Sequence, residues 1–71
     1  MTPAFFAKVG TALYGPSWRA ALAKALNVAE RTVRRWEHDE SGIPDGVGDD
    51  LARLCRKRSA ELAKLADQIS P

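Results

Sequence analysis

Cysteine and histidine are almost absent from this chain, whose 71 residues include one of each, Cys55 and His38. A single cysteine excludes an intramolecular disulfide framework. One cysteine and one histidine are also too few for a zinc site built from these ligands. The sequence has no glycine-rich phosphate loop and no grouping of serine or cysteine with histidine and an acid that would indicate a nucleophile. We therefore expect a protein that is not an enzyme and holds no cofactor or metal.

Long apolar runs are lacking too, since no stretch approaches the roughly 20 residues that a bilayer span requires. The first residues do not have the basic start, the continuous apolar stretch or the cleavage site of a signal peptide. Hydrophobic residues make up 45% of the chain and charged residues 28%, which is typical of a globular domain rather than a disordered segment. We expect a single cytoplasmic domain, residues 1–71, with no membrane partner.

Basic residues are missing from one part of the chain and abundant on either side of it. Residues 18–36 carry five Lys or Arg and one acidic side chain, residues 37–50 carry six acidic side chains and no Lys or Arg, and residues 51–71 carry five Lys or Arg and two acidic side chains. The net charge of +2 hides this segregation. Such a pattern indicates either one face that binds a polyanion or a set of helices with solvated charges.

Helical periodicity is what the sequence does contain, with no sustained period-two alternation that would indicate a strand. The pattern predicts an all-α fold of four helices, at about 3–14, 17–26, 30–38 and 45–69. Thr2 and Ser17 are the expected N-caps of the first two helices. Residues 39–46 are rich in turn formers and separate the last two helices.

Apolar side chains recur on one face of each predicted helix and define the expected core. They are Phe5, Val9, Ala12 and Leu13; Trp18, Ala21, Leu22, Ala25 and Leu26; Ala29, Val33 and Trp36; and Val47, Leu51, Leu54 and Cys55. Leu62, Leu65 and Ile69 continue the stripe of the last helix beyond Arg58 and Ser59, which interrupt it. Phe5 and Phe6 cannot both point inward, and the exposed one is a candidate contact for a second subunit. Cys55 is expected to be a small buried side chain.

The junction between the second and third helices has a specific pattern. Ala23 is small where the two helices must touch, and Asn27 tolerates the positive φ that ends a helix and redirects the chain. Val28 is apolar and anchors the corner, while Val33 and Trp36 face inward one turn apart. A helix, a three-residue turn and a second helix with a polar outer face are typical of a helix-turn-helix.

The segment 17–37, SWRAALAKALNVAERTVRRWE, resembles the helix-turn-helix of phage repressor and Cro-type (XRE-like) regulators. The family pattern is an apolar-small pair, a Gly-Val or Asn-Val turn and a Thr-Val-x-x-Trp-Glu recognition helix. Here these are Leu22-Ala23, Asn27-Val28 and residues 32–37. The chain departs from the family at Ala29, where a capping Ser or Thr is usual. The resemblance implies a lambda-repressor-like fold in a bacterial or phage-encoded protein that associates with the nucleoid when bound.

The resemblance also implies that residues 30–38 enter the major groove of double-stranded DNA. The residues expected to read bases are Glu30, Arg31, Arg34 and Arg35. Those expected to contact phosphates are Ser17, Arg19, Lys24, Thr32 and His38. Arg35 is expected to contact either a base or a phosphate. Glu30 either accepts from a cytosine amino group or repels phosphate, and His38 either touches phosphate or caps the helix end. Taken alone, the arginines fit a solvated surface helix equally well.

The fourth predicted helix is about 37 Å long at 1.5 Å per residue, longer than a three-helix core can cover. Its second half would leave Leu62, Leu65 and Ile69 exposed in a monomer, which favours a dimer interface at these residues. We expect residues 56–71 to be a dimerisation or partner-binding extension, and the alternative is that they fold back or fray.

Together these features predict a sequence-specific DNA-binding transcriptional regulator. Because no effector domain is evident, we expect a repressor that binds a palindromic operator as a homodimer, with half-sites about 34 Å apart. The alternative is an antitoxin-like or other protein-interaction module whose C-terminal helix binds a protein partner.

Overall fold

The computed structural model describes residues 1–39 and 42–70, and within these ranges the chain forms four α-helices and no strand. They are α1 (Pro3–Tyr14), α2 (Trp18–Leu26), α3 (Glu30–His38) and α4 (Asp45–Ile69). The predicted all-α class is confirmed, and the predicted helices match these bounds except that α2 begins one residue later. Two residues of the predicted turn at 39–46, Glu40 and Ser41, lie outside the described residues, as does Pro71.

Local chemistry explains where α1 begins and ends. The Thr2 hydroxyl accepts a hydrogen bond from the Phe5 N–H at 3.1 Å, and Pro3 occupies the first helical position, where its missing N–H is harmless. Gly15 ends the helix at φ 81°, and its N–H donates to the Thr11 carbonyl at 2.8 Å. The predicted Thr2 cap is therefore confirmed.

Ser17 takes the N-cap position of α2 but makes no side-chain hydrogen bond to that helix. Its ψ of 37° is far from the extended conformation in which a cap hydroxyl reaches the first-turn N–H groups. The prediction that Ser17 caps α2 through its hydroxyl is therefore wrong, although the position is right.

The core is built around Phe6, which is fully buried and packs edge-on against two tryptophans. Its ring centroid lies 5.5 Å from that of Trp18 on α2 and 5.9 Å from that of Trp36 on α3. Gly10 permits this packing, because a Cβ there would stand 2.2 Å from Cε3 of Trp18. Three helices therefore meet around one aromatic cluster, to which α4 adds Val47 and Leu51.

Several apolar residues predicted to face inward are exposed instead. In α1 the buried positions are Phe6, Gly10 and Leu13, and Phe5 is 52% exposed. The prediction is confirmed for Leu13, which is buried, and for Val9, which packs against the core. It is wrong for Phe5, because Phe6 and the backbone of Gly10 are what Trp18 packs against. The other residues predicted to be inward that prove to be exposed are Ala12, Ala25, Ala29 and Cys55.

The second half of α4 extends beyond the body of the domain. Val47 and Leu51 are buried and Leu54 is half-buried, whereas every described residue from Ser59 onward is exposed. The molecule is accordingly 45 Å long and 21 Å across in the other two directions. The predicted exposure of the apolar residues in this half is confirmed. Within the described residues, no helix combines the length and the hydropathy needed to cross a membrane.

Candidate nucleic-acid interface

A three-residue turn fixes how α3 leaves α2. Asn27 adopts the left-handed conformation, at φ 58° and ψ 46°, as its position in the sequence predicts. Its N–H donates to the Lys24 carbonyl, and the Val28 N–H donates to the Ala23 carbonyl at 2.9 Å. These two bonds form the Schellman pattern that satisfies the last carbonyls of a helix. Ala23 is 3% exposed, which confirms a small buried residue at this junction.

The two sides of α3 differ sharply. Val33 is fully buried and Trp36 is 5% exposed, so both anchor the helix to the core as predicted. Arg31, Arg34 and Arg35 are exposed. Ala29 takes the N-cap position of α3 and provides no side-chain cap, and Glu30 is the acidic residue in the first turn of the helix. The outer surface of α3 is therefore rich in guanidinium groups on a rigidly held backbone.

The arginines of α3 differ in their partners. Arg34 Nη2 donates to Glu30 Oε1 at 2.7 Å, one helical turn back, and both side chains are substantially exposed at 58% and 42%. Arg31 and Arg35 form no ion pair with any residue that the structure describes. Exposed pairs of this kind contribute about 0–1 kcal/mol, so Arg34 can exchange Glu30 for a stronger acceptor.

Arg19 is more constrained than the rest of this surface. Its Nε and Nη2 each donate to a different carboxylate oxygen of Glu37, both at 2.5 Å, in the two-pronged geometry that suits a guanidinium. The guanidinium also lies 4.9 Å from the centre of the Trp18 ring. The pair joins the start of α2 to the end of α3, and it leaves only Nη1 of Arg19 outside these two bonds.

The ionisation of this pair reflects its geometry. The two hydrogen bonds from Arg19 lower the pKa of the Glu37 carboxyl below its ordinary value, although burial of the carboxyl opposes them. The charges of Arg19, His38 and Arg34 act in the same direction as the hydrogen bonds. Conversely, the hydrogen bonds to Glu37 raise the pKa of Arg19. The carboxylate is thus held in its charged form, and its side chain is only 12% exposed.

The other residues predicted to contact phosphates are spread along α2 and α3. Lys24 and His38 are exposed at the ends of α2 and α3, Ser17 is exposed just before α2, and Thr32 is half-buried. Ser17 and Arg19 lie together at the start of α2, whose first-turn N–H groups receive no side-chain cap. Lys24 lies in the last turn of α2, near the turn into α3.

Sequence reasoning missed the role of Glu37, which it treated only as part of a motif. Arg19 and Glu37 are eighteen residues apart, and no helical or strand spacing links them. The only signal in the sequence was the segregation of charge, since an arginine near the start of the basic segment pairs with the first acid of the next segment. Only the fold brings the two together.

The described residues contain no grouping of His, Cys, Asp or Glu that could hold a metal ion. Comparisons of the chain with protein-family models, with curated proteins and with solved structures gave no match in any of the three. The identification of this surface as a candidate nucleic-acid interface therefore rests on its geometry and charge.

Proposed function

We propose that the chain is a sequence-specific double-stranded DNA-binding transcriptional regulator. In this proposal α2, the Asn27 turn and α3 are a helix-turn-helix of the phage repressor and Cro type, and α3 lies in the major groove, which admits one α-helix. The observation that carries the proposal is that Arg31, Arg34 and Arg35 are exposed on a helix whose opposite side is anchored by buried residues.

The proposed base contacts follow from the chemistry of arginine. A guanidinium can donate two hydrogen bonds to N7 and O6 of guanine, which provides about 1–3 kcal/mol of discrimination per contact. Arg31 and Arg34 are assigned to bases, and Arg35 to a base or a phosphate. Glu30 releases Arg34 on binding and either accepts from a cytosine amino group or repels a misplaced phosphate.

The proposed phosphate contacts position the helix without reading sequence. The start of α2 supplies uncapped N–H groups and the positive end of the helix dipole, with Ser17 and Nη1 of Arg19 beside them. Lys24, Thr32 and His38 complete this set. We propose that the protein acts as a homodimeric repressor that occupies a palindromic operator.

Selection from a random duplex library, followed by binding titrations, tests this function. We expect one preferred sequence, bound with an affinity that falls steeply as salt rises. Arg34→Ala should relax the preference at one base position by about tenfold or more. Lys24→Ala should instead weaken operator and random DNA equally and reduce the salt slope by about one. Lys64→Ala, on the second half of α4, is the control and should change neither. Enrichment of no sequence would refute the proposal.

A protein-interaction module, as in antitoxins, is the second candidate. The observation that favours it is the exposure of Leu62, Leu65 and Ile69 on a helix that extends beyond the domain. It predicts that the chain is monomeric when pure, binds a different polypeptide through this helix, and loses that polypeptide on Leu65→Glu.

A further inference from the structure

An apolar stripe on α4 is buried in the first half of the helix and exposed in the second. Helical spacing places Leu62, Leu65 and Ile69 on the same side of α4 as Val47 and Leu51, which pack on the core. The three distal residues are 57%, 53% and 83% exposed. We call them the distal stripe. Apart from Arg58 and Ser59 at its middle, this face of α4 is apolar, and the domain covers only the first half of it.

A shallow, mainly apolar groove lies where the distal stripe leaves the domain, between the end of α1 and the middle of α4. It is lined by Ala12, Leu13, Cys55, Arg58, Ser59 and Leu62. The Arg58 guanidinium lies 5.4 Å from the Tyr14 ring centre and 3.8 Å from the Glu61 carboxylate, both within its own chain. Because Leu62 belongs to both, the groove and the distal stripe form one continuous surface.

We propose that a second copy of this chain covers this surface, with the two α4 helices antiparallel and in register at Leu62. The spacing of the residues supports this register. Cys55 and Ile69 stand seven residues before and after Leu62, so Ile69 of the second copy enters the groove at Cys55. Ser59 and Leu65 stand three residues before and after it, so Leu65 of each copy packs against the small Ser59 of the other, while the two Leu62 side chains meet each other.

Buried area favours the antiparallel arrangement over a parallel one. A standard interface buries about 800 Å² on each partner, more than the three side chains of the distal stripe provide. A parallel pair would set distal stripe against distal stripe and leave both grooves empty. The antiparallel pair fills both grooves with both stripes, and so buries the larger area with the same residues.

Charge also permits two copies to meet. The second half of α4 carries two basic and two acidic side chains, Arg58, Glu61, Lys64 and Asp67, so its charges balance. Helical spacing places Lys64 and Asp67 on the side opposite the distal stripe, whereas Arg58 lies in line with it. Two like copies therefore approach without a strong opposing field. This surface is mainly apolar, unlike the arginine side of α3. It therefore favours another apolar surface as its partner rather than a polyanion.

The register also sets the distance between the two domains. Leu51, in the core, precedes Leu62 by eleven residues. In the antiparallel pair the two Leu51 residues are therefore about 33 Å apart along the helix axis, at 1.5 Å per residue. The two domains are thus separated on the scale of the one-turn spacing of about 34–36 Å between DNA half-sites. The agreement rests on the proposed DNA-binding function, whereas the pairing of the helices does not.

Disulfide trapping tests the pairing without DNA. In Ile69→Cys the new thiol lies opposite the native Cys55 of the second copy, and oxidation should give a covalent dimer whose peptides link positions 55 and 69. A bond within one chain is excluded, because fourteen residues of helix hold the two positions about 21 Å apart. The control Ile69→Cys/Cys55→Ser should stay uncrosslinked. A bond between the two positions 69 in this control, or between the two native Cys55 residues, would show a parallel pair and overturn the register.

A charge scan of adjacent exposed positions gives an independent measurement. Leu62→Glu should raise the dimer dissociation constant in sedimentation about a hundredfold or more, because two leucines leave the interface and two charges enter it. Ala63→Glu introduces the same charge one residue away, off the stripe, and should leave the constant within about threefold. Helical circular dichroism should be unchanged in both. A wild-type chain that stays monomeric at high micromolar concentration would overturn the pairing, even if it binds DNA.

Discussion

Arg19 and Glu37 join the first turn of α2 to the last turn of α3 through two hydrogen bonds of 2.5 Å. The Trp18 ring lies beside the guanidinium and packs on Phe6 in the core. The ion pair therefore packs against the aromatic cluster. It joins the start of α2 to the end of α3, while the Asn27 turn joins the end of α2 to the start of α3. The orientation of the arginines on α3 depends on both.

The first prediction concerns acid. Because its folded-state pKa is lowered, Glu37 stabilises the fold fully above its unfolded pKa, near 4.3, and this contribution is lost as pH falls through the folded pKa. Glu37→Gln should therefore be less stable than wild type at neutral pH, and the two proteins should converge as pH falls below about 4. Thermal unfolding followed by circular dichroism from pH 7 to pH 2.5 measures the stability difference at neutral pH and its loss in acid.

The matched control for this experiment is Glu61→Gln, which removes an exposed carboxylate 3.8 Å from Arg58. It should lower the unfolding temperature little at any pH, since loose surface pairs contribute little. A Glu37→Gln protein whose deficit persists unchanged to the lowest pH would show that the loss comes from packing rather than from the charge.

The second prediction concerns the contact between α1 and Trp18. Gly10→Ala should destabilise the domain by about 1–3 kcal/mol, because the added methyl overlaps the Trp18 ring and forces the aromatic cluster apart. Gly46→Ala, where a Cβ meets nothing within 4 Å, should be neutral or stabilising by up to about 1 kcal/mol, as expected for alanine in a helix. Chemical denaturation of the two variants side by side measures the difference in stability, and equal stabilities would contradict close packing of Trp18 on Gly10.

The third prediction concerns the turn between α2 and α3. Asn27→Ala should destabilise by about 1–2 kcal/mol, because alanine is strained in the left-handed conformation that this residue adopts. Asn27→Gly should be as stable as wild type or slightly more so, since glycine is unstrained there. If both variants lost the same stability, the asparagine side chain rather than the backbone conformation would be the cause.

The helices and much of the core could be predicted from the sequence, because both depend on local spacing. Caps, helix breakers and apolar periodicity lie within a few residues of each other, and so the bounds of α3 and α4 and the anchors Val33 and Trp36 were recovered. Apolar periodicity did not reveal that Trp18 packs on Gly10, because the contact depends on the absence of a side chain at that position. The bond between Arg19 and Glu37 depends on the angle between two helices, which no local pattern encodes.

The last prediction concerns Glu30, whose carboxylate accepts from Arg34 on the exposed side of α3. If α3 enters the major groove, this negative charge repels phosphates and restrains Arg34 until a guanine replaces it. Glu30→Gln should therefore tighten binding to random duplex DNA by about threefold to tenfold and narrow the ratio between operator and random affinities, because a charge that repels wrong alignments is gone.

Asp67→Asn is the control for Glu30→Gln. It removes an exposed carboxylate from the second half of α4 and should leave the ratio between operator and random affinities unchanged. Fluorescence anisotropy with labelled operator and random duplexes at two salt concentrations measures both. Weaker binding by Glu30→Gln to the operator alone would instead indicate that Glu30 accepts directly from a base, and unchanged binding to both duplexes would place α3 outside the groove.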